Sequence, residues 1–124
     1  MENKQLLELV QNALEDKKAQ DIKILDVRQF SSITDFMVIA SGNTDRQVVA
    51  LAQHVAQQAK AKGHPLLGEE GANVGEWILI DLGDVIVHVM QPRTRDFYQL
   101  EKLWGDMANE AGITNGQWSM VNGQ

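Results

Sequence analysis

Leu6, Leu9, Val10, Ala13 and Leu14 recur at helical spacing among charged residues, which predicts a one-sided amphipathic helix packed on a sheet. The run Ile22-Lys-Ile-Leu-Asp-Val27 then reads as a strand and Ser31-Ser-Ile-Thr34 as a connection. Phe36-Met-Val-Ile-Ala40 is apolar throughout, the pattern of a central strand covered on both sides. In Ser41-Gly-Asn-Thr-Asp45, Gly42 permits positive φ, and Asn43, Thr44 or Asp45 can cap the next helix. That helix is expected to run to about Lys62 and to stop at Gly63. Its inner stripe is Val48, Leu51, Ala52, Val55 and Ala59; Arg46, Gln53, Gln57, Lys60 and Lys62 fall outside it.

His64 to Asn73 reads as a loop with a short extended piece at Leu66 and Leu67. Next comes the most informative stretch, Trp77-Ile-Leu-Ile-Asp-Leu-Gly-Asp-Val-Ile-Val-His-Val-Met90, a hairpin turning at Asp81-Leu-Gly-Asp84. Trp77 and Leu79 belong to one face, Ile78, Ile80 and Leu82 to the other, so neither face is built for water and one cover could be a partner. Pro92 opens a last helix in which Phe97, Leu100 and Trp104 share a face. From Gly105 the period dissolves, so residues 105–124 are expected to form a flexible tail behind a single domain of residues 1–104. The element order predicts an α/β (α+β) domain, a mixed β-sheet flanked by helices.

Composition narrows the function. A net charge of −6 disfavours a direct grip on phosphate backbones and suits a basic protein partner. The chain has no cysteine, which closes thiol chemistry. No segment approaches the roughly 18 apolar residues of a membrane span, so a soluble, cytoplasmic protein is expected.

Reactive groups are sparse along the chain. His54, His64 and His88 stand apart from one another rather than at metal-ligand spacing, and no metal site is expected. Asp81 and Asp84 could hold magnesium as a carboxylate pair, with Asp35 a weaker candidate, but residues flanking a hairpin turn are more often solvated turn formers. Ser41-Gly42 has no Gly-rich run and no following Lys-Ser or Lys-Thr pair, so it reads as a helix cap rather than a phosphate loop. A small cationic group, Arg93, Arg95 and Lys102, is the only support for RNA contact. What remains is aromatic: Trp77, Tyr98 and Trp104 are residue types that dominate interfaces, although Trp77 and Trp104 fit a core equally well.

Ser31-Ser-Ile-Thr-Asp35, Gly68-Glu-Glu-Gly71, Trp77, Asp81-Leu-Gly-Asp-Val-Ile-Val-His-Val-Met90 and Tyr98-Gln-Leu-Glu-Lys-Leu-Trp104 together resemble the ribosomal silencing factor family, RsfS or Iojap-like. The resemblance spans roughly residues 3 to 104. It implies a nucleotidyltransferase-like fold, often a homodimer. It also implies a cofactor-free, non-enzymatic repressor that binds the large ribosomal subunit through ribosomal protein uL14. Occupying that surface would block small-subunit joining and repress translation under nutrient limitation. On that reading Trp77, Leu82 and Tyr98 are expected as apolar anchors, and Asp81, His88, Glu101 and Lys102 as polar specificity groups. The alternative is a magnesium-dependent nucleotidyltransferase-like enzyme, which the missing Gly-Ser loop and strand-borne Asp-x-Asp pair disfavour.

Overall fold

The computed structural model describes residues 3–29, 31–71, 75–100 and 102. Its elements are α1 (Asn3–Asp16), β1 (Gln20–Asp26), β2 (Phe36–Ser41), α2 (Asp45–Ala61), β3 (Gly68–Glu70), β4 (Trp77–Asp81), β5 (Val85–Met90) and α3 (Pro92–Tyr98). The strands form one five-stranded mixed sheet in the order β1-β2-β5-β4-β3. β2 and β5 run parallel, and every other pairing is antiparallel. Among the described residues, no helix is long and apolar enough to cross a membrane.

The inner stripe of α1 comprises Leu6, Leu7, Val10, Ala13 and Leu14; Leu7 is buried, and Leu9 lies half-buried at its margin. α2 buries the predicted stripe, with Thr44 Oγ1 accepting from the Gln47 amide at its start and Gly63 at φ 78° past its end. These two helices share a core with Ile22, Ile24, Val38, Ala40, Ile78, Ile80, Leu82, Val87 and Val89 from the sheet. Each fully buried Leu, Ile or Val there contributes roughly 1.5–3 kcal/mol, offset by the entropy of ordering it.

The opposite sheet face carries a second, smaller apolar cluster of Leu25, Val27, Met37, Ile39 and Met90, with Trp77 and Leu100 packed against it. The alternation expected of the hairpin is therefore present: Ile78, Ile80 and Leu82 lie in the helix-covered core, while Trp77 and Leu79 lie half-buried on the other side. All residues of β2 are buried, as its position between β1 and β5 requires.

Two elements differ from expectation. The short extended piece lies at Gly68–Glu70 rather than at Leu66 and Leu67. Its backbone pairs with β4, while Glu69 and Glu70 point to solvent at the sheet edge, so no apolar alternation announces it. The last helix is interrupted after Tyr98, where Gln99 adopts the left-handed conformation at φ 51° and its amide closes the turn on the Arg95 carbonyl; Leu100 and Lys102 beyond it are helical again. That break leaves Phe97 exposed and turns Leu100 onto the second cluster, so these two do not share a helical face. Trp104 and the expected tail lie outside the described residues.

Candidate functional site

Sheet register assembles the site. Trp77 pairs with Met90 and Leu79 with His88 across β4 and β5, which puts Trp77 and His88 on one face as diagonal neighbours. Ile39 of β2 flanks His88 on its other side. The Trp77 indole Nε1 donates to His88 Nδ1 at 2.9 Å. Burial pushes the His88 imidazole down to about 4, so it is neutral at pH 7 and can accept.

Rings continue outward from this pair. Tyr98 lies against Trp77 with centroids 4.8 Å apart, and Phe97 meets Tyr98 edge-on at 5.0 Å. His88 is 6% exposed, Tyr98 53% and Phe97 78%, so the series leads from the interior to open surface. The helix bearing the last two rings is held at its base by Pro92 at its first turn and by Gln91, whose side chain donates to the Gly75 carbonyl at 3.0 Å and to Asp45.

The other expected site residues divide. Asp81 is half-buried and its Oδ1 accepts from the Gly83 amide at 2.8 Å, closing the hairpin turn at a glycine of φ 87°. Lys102 is exposed, whereas Glu101 lies outside the described residues. Leu82, expected as an apolar anchor, is instead 1% exposed and packs in the helix-covered core. His88, expected as a polar contact, is also interior, and its bond to Trp77 connects it with the surface.

The Asp35 carboxylate accepts from the Asn3 side chain, and Asp81 is used by its own turn. Among the described residues, no three His, Asp or Glu side chains gather where a metal could be held. Arg95 is buried, with Nη1 donating to Ser41 Oγ at 2.8 Å, so it does not share an exposed cationic patch with Arg93 and Lys102.

Phe97, which the helical period groups with Leu100 and Trp104 rather than with the expected contact residues, is 78% exposed beside Tyr98. A signal was present: adjacent aromatics at positions 97 and 98 point roughly 100° apart on a helix, so a single apolar stripe does not readily hold both.

The chain matches the family described as "Ribosomal silencing factor during starvation" over residues 1–122. It is 46% identical over 122 residues to the ribosomal silencing factor RsfS of Chromobacterium violaceum, covering 98% of this chain and 100% of that one. It is 42% identical over 106 residues to RsfS of Bacillus subtilis, covering 86% and 90%. A crystal structure of a Chromobacterium violaceum protein superposes with a TM-score of 0.82 at 39% identity, covering 100% of this chain and 98% of that one.

Proposed function

This chain belongs to the ribosomal silencing factor family, and from that premise we propose that it docks on the large ribosomal subunit through ribosomal protein uL14, keeps the small subunit from joining and so represses translation under nutrient limitation. The observation that carries the reading is the outward ring series of Trp77, Tyr98 and Phe97 on α3 and the adjoining sheet face. Silencing by occlusion needs affinity and bulk rather than a reactive group, and aromatic side chains at a surface supply affinity with little loss of side-chain freedom. A net charge of −6 favours encounter with a basic ribosomal protein.

On this reading Trp77, Tyr98 and Phe97 are the apolar anchors, and Asp81 and Lys102, with Glu101 by its place in the sequence motif, are polar contacts. The protein acts by binding and catalyses nothing. The proposal includes a homodimer in the absence of ribosomes, to be checked by analytical ultracentrifugation.

Co-sedimentation with separated ribosomal subunits tests the main claim, with the small subunit added before or after the protein. Selective binding to the large subunit together with reduced joining is expected. No binding at low and moderate salt would sink the proposal.

A further inference from the structure

We propose that His88 is a positioning residue, whose ring nitrogen holds the Trp77 indole in the orientation the docking surface uses without touching the partner itself. This rests on the docking role given to Trp77 above and adds a part to it.

The hydrogen bond has only one possible sense. An indole nitrogen carries a hydrogen and has no free lone pair, so at 2.9 Å the His88 Nδ1 must be the acceptor. The imidazole is then neutral and carries its own hydrogen on Nε2, since an imidazolium has no acceptor nitrogen to offer. Burial favours that same state.

Position explains why the effect is indirect. His88 lies between Ile39 and Leu79 in the sheet and is 6% exposed, so a macromolecule cannot reach its ring. Trp77 is half-buried, with the imidazole centroid 5.8 Å and the Tyr98 ring centroid 4.8 Å from its own. Setting the indole plane therefore sets the surface on which Tyr98 rests, and Tyr98 in turn contacts Phe97. Without an acceptor, the indole N–H would have to turn toward water or stay unsatisfied, and either result disturbs the rings outside it. Burying a histidine among apolar neighbours is costly, and the bond from the indole offsets part of that cost at Nδ1.

The test compares His88→Leu, which removes the acceptor, with His88→Gln, whose side-chain oxygen can replace it. Both are made with Trp77 intact and with Trp77→Phe, which keeps a ring but has no N–H. Affinity for isolated large subunits is measured for each, and the Trp77 indole resonance is followed by ¹H–¹⁵N NMR, assigned by its loss in Trp77→Phe.

His88→Leu should weaken binding about tenfold and shift the indole resonance, while His88→Gln should stay within about threefold of the parent. In the Trp77→Phe background the two His88 variants should differ by less than about twofold. If His88→Leu does not fold, Trp77→Phe alone should lose most of the tenfold. The role is overturned if His88→Leu binds like the parent, if the gap between the variants persists without the indole N–H, or if Trp77→Phe binds unchanged. A parent protein that does not bind large subunits at all removes the docking reading and this role together, a result distinct from binding that ignores His88.

Discussion

Arg95 reaches from α3 to the end of β2, where its Nη1 donates to Ser41 Oγ at 2.8 Å with both residues buried. The bond fastens the helix that carries Tyr98 and Phe97 to the sheet. Ser41→Ala should leave a buried guanidinium hydrogen without this acceptor and cost roughly 1.5–3 kcal/mol. Urea unfolding measures the loss, and faster amide exchange in α3 would place it at the helix.

His88 makes stability depend on pH. Its value is about 4 in the fold against 6.5 for a free imidazole, so between those values the unfolded chain binds the proton and the folded chain does not. Stability from this group is therefore complete above pH 6.5 and falls as pH drops toward 4, by on the order of 3 kcal/mol in all. Unfolding free energies at pH 7, 5 and 4 should show the slope, and His88→Gln should lack this share of it.

Trp77→Ala and Tyr98→Ala should each weaken large-subunit binding by about 2 kcal/mol, roughly 30-fold, in protein that remains folded. Circular dichroism establishes the fold, and sedimentation supplies the affinity. Unchanged affinity in both variants would count against the assigned surface.

Leu82→Ala separates core from interface. With 1% exposure in the main cluster, it should lower stability by about 2–5 kcal/mol. The fraction that stays folded should bind large subunits as the parent does. A loss of affinity without a loss of stability would restore Leu82 to the interface.

Gly71 stands at φ 88°, and a Cβ there would lie 2.1 Å from the Trp77 carbonyl oxygen. Gly71→Ala must therefore push the start of β4 aside as well as hold a disfavoured backbone, at a cost of more than about 1 kcal/mol. Thermal unfolding reads the cost. A displaced Trp77 indole resonance would show that the shift travels into the ring series.

Much of this architecture was legible from local pattern. The all-apolar β2, the Thr44 cap, the stop at Gly63, the start at Pro92 and the two-faced hairpin are each determined within a few residues of chain, where period and backbone preference act directly. The left-handed Gln99 was not legible, because nothing in its side chain asks for φ 51° and no glycine marks the break. The edge strand at Gly68–Glu70 was hidden for a related reason, since its pairing is made by backbone atoms that all residues share.

The order of residues alone requires cover on both faces of the β4–β5 hairpin and makes the chain acidic and free of cysteine. It takes the folded chain to turn Leu82 toward the helices, to bury His88 and bond it to Trp77, and to bring Arg95 to Ser41. An apolar period records a demand for burial but not what meets it. Register across β4, β5 and the distant β2 chooses each neighbour, and hydrogen-bond partners follow from that choice.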